Sequence, residues 1–340
     1  MTTLMYQEAT SAPQRVAGLL QKNREQAQAA GEKLRRLDPA GGVTVARGSS
    51  NHAASYFSCL TMQRTGLPVM ALPLSLTTVF HTPWKLPRYF ALAISQSGKS
   101  TDLVQNFEAL THGGTHTIAL INTPDSPLEA ASHETIALHS GVEKSVAATK
   151  SYITSLAAAT QLLAAWLQDN TLQSALQALP DVLEKACTMN WQKAVDTLKN
   201  EDRMFVIGRG AGLAIAQEAA LKFKETCNLQ AEAFSGAEVK HGPMTLVGEN
   251  YPVLIFAPAG AEQAGLLKLA EEFRARKAKV LLAADESVAG RDLDIVPAAD
   301  SALSPVSAIQ SFYIMVEQLA RARGLHPDTP RFLNKVTDTV

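Results

Sequence analysis

The sequence predicts an α/β fold built twice, as two parallel, helix-covered sheets in tandem along one chain. Three observations carry that prediction. Short apolar runs of strand length alternate with segments whose apolar residues recur at helical spacing, which is the pattern of strand–helix–strand units. The pattern stops and then starts again near residue 200. Landmarks of the second half also repeat those of the first at a single offset: Gly48 and Gly210, Tyr89 and Tyr251, and Gly98 and Gly260 each differ by 162. Ungapped register across three landmarks points to duplication of one unit.

Taken in order, residues 6–37 read as one or two polar helices with Val16, Leu19 and Leu20 as an apolar stripe, ended by the turn Asp38-Pro39-Ala40-Gly41-Gly42. A short strand, Val43–Ala46, leads through Arg47-Gly48-Ser49-Ser50-Asn51 into a helix to about Gln63. Pro68–Leu72, Tyr89–Ile94 and Thr117–Ile121 are the next strands. Ser145 to about Gln168 reads as one long Ala-rich helix, with further helices to about Leu198. The second unit opens with strand Met204–Ile207, the turn Gly208-Arg209-Gly210-Ala211-Gly212 and a helix through Cys227. This divides the chain into an N-terminal helical segment (1–40), a first unit (41–190) and a second unit (191–340).

Composition narrows the function. A chain of 340 residues, 46% of them hydrophobic, has ample material for a core. Its net charge of −1 provides no electrostatic footprint for nucleic acid. Cys59, Cys187 and Cys227 are scattered without CxxC spacing, so neither a disulfide framework nor a zinc site is indicated, and no other metal-ligand cluster is visible. The start lacks the basic and apolar regions of a signal peptide, and no apolar run approaches the ~18 residues needed to span a bilayer. A cytoplasmic protein with no membrane or nucleic-acid partner is expected.

The most informative stretch is Tyr89–Asp102. A buried-strand pattern breaks into Ser95-Gln96-Ser97-Gly98-Lys99-Ser100-Thr101, after which Leu103, Val104, Phe107 and Leu110 recur at helical spacing. A helix N-terminus offers unpaired N–H groups and partial positive charge. The hydroxyls, Gln96 and Lys99 add donors there, and Gly98 permits close backbone approach. Phosphate on a small molecule fits this loop best. A well-capped helix without ligand is the second reading. A nucleotide P-loop is third, because Ala93 stands where its first glycine belongs. In the second half the same loop is Ala257-Pro258-Ala259-Gly260, without hydroxyls and with a proline that donates no N–H, so one phosphate site per chain is expected. Gly208-Arg209-Gly210 resembles a dinucleotide turn, but Leu213 replaces the third glycine and Glu232 matches the ribose acid only loosely. A tight turn is the better reading.

The second half carries a denser set of reactive groups. Lys222 and Glu225 are three apart on a predicted helix, and a solvated ion pair is the ordinary reading of that spacing. Apolar flanks (Ala219, Ala220, Leu221, Phe223) favour partial desolvation of Glu225, which would tune it as a general base. Ala231–Pro243 reads as a polar loop containing His241, a side chain poised near neutral pH for proton transfer or else a plain surface histidine. The tail Arg331-Phe332-Leu333-Asn334-Lys335 has apolar residues that suggest docking.

At Ser95–Gly98, Val146-Ala147-Ala148-Thr149-Lys150, Lys222–Glu225, Glu238-Val239-Lys240-His241-Gly242-Pro243 and the tail to Lys335, the sequence resembles the SIS (sugar isomerase) domain proteins. The likeness is to the isomerase half of glucosamine-6-phosphate synthase and its stand-alone relatives, over about residues 40–340. The resemblance implies two flavodoxin-like units, no cofactor and a homodimer. It also implies a phosphosugar substrate, with phosphate on Ser95, Gln96, Ser97 and Ser100 and with Ser49, Ser50, Val146 and Ala148 near the ligand. By the same implication Glu225, beside Lys222, moves a proton between C1 and C2. His241 from the partner subunit opens the sugar ring, and Lys335 forms a Schiff base with the keto sugar.

Departures from the synthase pattern refine this expectation. The roughly forty residues before the first unit leave no room for a glutaminase domain. Lys99-Ser100 replaces an acidic residue and threonine, and the turn Arg47-Gly48-Ser49-Ser50 replaces Cys-Gly-Thr-Ser. With the start Glu8-Ala9-Thr10-Ser11-Ala12-Pro13 and the Arg47-Gly48-Ser49-Ser50 turn, the sequence resembles the isomerase-type glucosamine-6-phosphate deaminases, which implies conversion of glucosamine 6-phosphate to fructose 6-phosphate and ammonia. Another phosphosugar isomerase, a galactosamine 6-phosphate deaminase, a deglycase or a non-catalytic phosphosugar sensor are the alternatives.

Overall fold

The computed structural model describes residues 2–333. In chain order it contains helices α1 (Leu4–Thr10), α2 (Ala12–Lys22) and α3 (Arg24–Leu37), then β1 (Gly41–Val45), α4 (Gly48–Thr65), β2 (Val69–Ala71), α5 (Ser75–Thr78), β3 (Tyr89–Ser95), α6 (Thr101–His112), β4 (His116–Ile121), α7 (Pro127–Ala130) and β5 (Glu134–Ala137). Helices α8 (Lys150–Leu167), α9 (Asn170–Ala186) and α10 (Gln192–Leu198) follow. The chain continues with β6 (Arg203–Gly208), α11 (Ala211–Cys227), β7 (Gln230–Ser235), β8 (Pro252–Ala257), α12 (Gln263–Ala275), β9 (Lys279–Ala284), β10 (Leu293–Asp294) and α13 (Ser304–Ala322).

The strands form two five-stranded sheets, ordered β2-β1-β3-β4-β5 and β7-β6-β8-β9-β10. Every pairing is parallel. The two orders are the same topology written with successive strand numbers, so the offset of 162 is a duplication of fold. Gly48 and Gly210 take nearly the same positive φ, 52° and 56°, because each unit leaves its first strand through a left-handed residue.

Parallel strands covered on both faces need apolar residues at every position. β3 and β8 accordingly read YFALAIS and PVLIFA and are buried almost throughout. Edge strands lack that signature. β7, an edge strand, is for the most part only partly buried, and the expected loop at Ala231–Pro243 is a strand as far as Ser235, followed by 3₁₀ turns at Glu238–Lys240 and Pro243–Leu246. Three helices, not one or two, precede β1, and the helix expected from Ser145 begins only at Lys150.

By packing the chain divides into two units. One consists of Gln14–Glu143 and Ser151–Gln177 and holds the first sheet, with Val43, Val45, Ala91, Ala93, Phe107 and Leu110 in its core. The other consists of the chain up to Pro13, Lys144–Lys150 and the chain from Ala178 onward. It holds the second sheet, with Phe205, Ile207, Val253, Ile255, Leu269 and Phe273 in its core. Among the described residues no helix is long and apolar enough to cross a membrane.

Candidate active site

In a sheet of this order the winding reverses between the first and third strands, and such folds bind ligands in the crevice at the carboxyl ends of those strands. In the first unit, the Ser95–Ser100 loop leaves β3 at that point and the Arg47–Ser50 turn leaves β1. Ser95 is buried and its Oγ accepts the Gly98 N–H at 3.0 Å, while Ser97 Oγ accepts the Lys99 N–H at 3.3 Å. The Thr123 hydroxyl donates to the Gln96 carbonyl at 3.1 Å. Ser100 occupies the N-cap of α6, yet its side chain makes no capping bond. Capping therefore does not explain why the loop is rich in hydroxyls.

Gly98 shapes the loop. It has φ of 64°, and a Cβ there would come within 2.2 Å of Ser126 Oγ and 2.6 Å of Ser126 Cβ. Gly98→Ala is expected to cost on the order of 1–3 kcal/mol and to weaken phosphosugar binding. Urea denaturation and calorimetric titration would measure the two effects, and unchanged affinity would separate this loop from ligand binding.

Ser49 and Ser50 lie half-buried in the first turn of α4. Just before them, Arg47 reaches Asp102 in the first turn of α6, with Nε and Nη2 at 2.9 and 2.8 Å from Oδ2. Asp102 is buried, and its Oδ1 accepts the Leu103 N–H at 2.9 Å. The sequence reading passed over this carboxylate. An acid in the first turn of the helix that closes the loop was the available signal.

In the second unit, α11 presents Glu218, Lys222 and Glu225 along one face. Lys222 is completely buried, with Nζ 2.5 Å from Glu225 Oε2 and 3.3 Å from Glu218 Oε1. Tyr313 of α13 donates its hydroxyl to Glu218 Oε1 at 2.9 Å. The solvated-pair reading of Lys222 and Glu225 is therefore wrong, because the ammonium lies between two carboxylates away from water. Burial by itself would lower the lysine's pKa, but the charges and hydrogen bonds of Glu218 and Glu225 outweigh it and hold Lys222 above its ordinary value. Lys222 is a fixed cation. Glu225 keeps 20% of its side chain exposed and lines a cavity of about 410 Å³ together with Lys224, Asn228, His326, Arg331 and Phe332.

His241 is exposed and follows the 3₁₀ turn Glu238–Lys240. Its neighbour Lys240 is held by Glu272 at 2.7 Å. Val146 and Ala148 are half-buried, alternating with buried Ala147 and Thr149 in the irregular stretch before α8. Lys335 lies outside the described residues. The expected docking through Phe332 and Leu333 is not seen, since both side chains are exposed. Asp328 tethers this segment instead, its carboxylate accepting the N–H groups of Leu4 and Met5 at 2.8 Å each.

The loop of the second unit that corresponds to the serine loop is plugged. Gln263 at the start of α12 donates to the Ala257 carbonyl at 3.0 Å and to Asp285 Oδ2 at 2.8 Å. Burial alone would raise the Asp285 pKa, but hydrogen bonds from Ser287 and Gln263 hold it below the usual carboxylate range. A carboxylate at the strand ends opposes an anion there, which agrees with the loss of hydroxyls from this copy.

Comparison with known proteins agrees with this architecture. Residues 43–165 and 197–322 match the SIS domain. The glutamine–fructose-6-phosphate aminotransferase (isomerizing) of Thermococcus kodakarensis is 29% identical over 349 residues, covering 97% of this chain and 57% of the relative. The chain thus spans little more than half the length of that curated relative. A crystal structure of a candidate phosphosugar isomerase from Silicibacter pomeroyi superposes with a TM-score of 0.92 at 40% identity, covering 96% of this chain and 100% of the other. The glucosamine-6-phosphate deaminase of Thermotoga maritima shares the fold, with a TM-score of 0.72 at 21% identity, over 96% of this chain and 100% of the other. With both units matched across most of their length, the chain belongs to the SIS domain family.

Proposed function

We propose that the protein is a phosphosugar isomerase that deaminates glucosamine 6-phosphate, giving fructose 6-phosphate and ammonia. The observation that carries this reading is the buried Glu218–Lys222–Glu225 array, which holds one carboxylate at the wall of a cavity. Burying an ammonium is costly unless its partners are well placed. Here its effect is to fix the orientation of Glu225, as a proton-transfer base requires.

In this reading the phosphate falls to Ser95, Gln96, Ser97, Ser100 and the N-terminal N–H groups of α6. Ser49, Ser50, Val146 and Ala148 face the sugar. His241, from the partner subunit of a homodimer, protonates the ring oxygen as the pyranose opens. Glu225 takes the proton from C2 and returns it to C1 while a proton of the amine passes to O1, which converts the 2-amino aldose into a 1-hydroxy-2-imino sugar. Water adds to C2 and ammonia leaves, with Lys335 able to exchange for the amine as a Schiff base on the way.

Purified protein given glucosamine 6-phosphate is expected to release ammonia and fructose 6-phosphate in equal amounts. The 40% identical structure described as a candidate phosphosugar isomerase favours a second reading, aldose–ketose isomerisation without loss of ammonia. Interconversion of hexose 6-phosphates with no ammonia from the amino sugar would replace the first reading by the second. Absence of both activities would remove each of them.

A further inference from the structure

We propose that Glu8 is a positioning residue for the reaction, setting the segment Lys144–Lys150 that carries Val146 and Ala148. The proposal rests on the phosphosugar reading above and gives the N-terminal helix a part in it. The Glu8 side chain is 8% exposed. Its Oε1 accepts the Lys144 N–H at 2.5 Å, its Oε2 accepts the Ser145 N–H at 3.2 Å, and the Lys150 ammonium, equally buried, lies 3.7 Å from Oε1. One carboxylate therefore grips both ends of a seven-residue stretch from more than 130 positions away. The N–H groups of Lys144 and Ser145 are taken by a carboxylate from outside the segment, and the stretch adopts an alternating exposure that turns Val146 and Ala148 outward.

The helix that carries Glu8 is itself anchored within the same unit. Thr3 Oγ1 donates to Glu317 Oε1 at 2.8 Å, and Gln310 Nε2 donates to the Ala9 carbonyl at 3.0 Å. Both partners belong to α13, which also supplies Tyr313 to Glu218 of the buried array. The N-terminus of α1 meets Asp328, in the segment that leads into the wall of the Glu225 cavity. Helix α1 is thus a strut between α13, the C-terminal segment and the Lys144–Lys150 stretch.

The test compares Glu8→Gln with Leu269→Ala. The first keeps the shape but removes the charge opposite Lys150 and one acceptor. The second opens a cavity in the core of the second sheet, in a cluster that includes no residue of α1 or of the stretch. Glu8→Gln is expected to lower kcat/KM for glucosamine 6-phosphate by about 10²-fold, chiefly through KM, as a misplaced binding element does. Amide exchange at Lys144 and Ser145 should speed up by roughly tenfold or more as their buried acceptor weakens. Leu269→Ala should stay within about twofold of wild type in kcat/KM at a comparable drop in Tm. If Glu8→Gln does not fold, Glu8→Asp, which keeps the charge and shortens its reach, should show the same KM effect in milder form.

Wild-type kinetics in the folded Glu8 variant, or equal losses in both variants at equal Tm, would overturn the proposal. Unchanged exchange at Lys144 and Ser145 would do so as well, and that readout needs no substrate. A wild-type protein that releases no ammonia overturns the substrate assignment instead. The affinity of wild type and Glu8→Gln for fructose 6-phosphate, by calorimetry, then takes the place of the kinetic comparison, and equal affinities would overturn the role of Glu8.

Discussion

Glu225→Gln is expected to lower turnover of glucosamine 6-phosphate by about 10²–10⁴-fold, the contribution of one positioned general base. Affinity for the phosphosugar should stay close to wild type. The amide keeps the size of the side chain and can still accept from Lys222, so the array loses its base more than its packing. The comparison that matters is kcat against KM, followed with ammonia release and with calorimetric binding of fructose 6-phosphate. A large fall in kcat with KM nearly constant identifies a group that acts in the transition state. Turnover equal to wild type would remove Glu225 from the mechanism.

Lys222→Met should have the largest effect on stability. The ammonium is fully buried between Glu218 and Glu225, so its removal takes from the buried Glu218 the cation it pairs with. Breaking a buried ion pair from one side typically costs about 3–5 kcal/mol. Urea midpoints at constant m-value would report it. Glu218→Leu combined with Lys222→Met should recover part of the loss, because an apolar pair of similar volume leaves no unpaired charge. A single variant as stable as wild type would show that the array is not the structural support inferred here. The pH dependence has a definite sign. A lysine whose folded pKa is raised stabilises the protein fully below its ordinary value of 10.5, and that contribution is lost as pH rises through the higher folded value. The array is therefore intact at neutral pH and weakens only in strong alkali.

The properties legible in the sequence are those that local chemistry determines. Central parallel strands are apolar along most of their length, so β1, β3, β4 and β6 could be recognised from composition alone. A loop that needs left-handed backbone and close approach must use glycine, so Gly48, Gly98 and Gly210 mark their turns in both copies. The repeat followed from these markers, and the asymmetry between the copies followed from Ser95–Gly98 against Ala257–Gly260. Helical spacing likewise placed Lys222 and Glu225 on one face of α11. The same spacing, read four residues back, would have found Glu218.

Other features depend on partners far away in the chain, which no local pattern encodes. β5, β7 and β10 escaped notice as edge strands, which need only one apolar side, and the internal strand β9 escaped notice as well, whereas the edge strand β2 was legible. The burial of Lys222 follows from the packing of α13 on α11, which brings Tyr313 to Glu218 across 95 positions. The hold on Lys144 and Ser145 comes from Glu8, and the anchoring of the C-terminal segment comes from Asp328 on the first turn of α1. A carboxylate that satisfies backbone N–H groups more than a hundred residues distant leaves no periodic trace, since one residue at one position is all that the bond requires. The sequence by itself determined the duplicated fold and the chemistry of its loops; only the tertiary structure decided which charges are buried, and therefore which of them support the site.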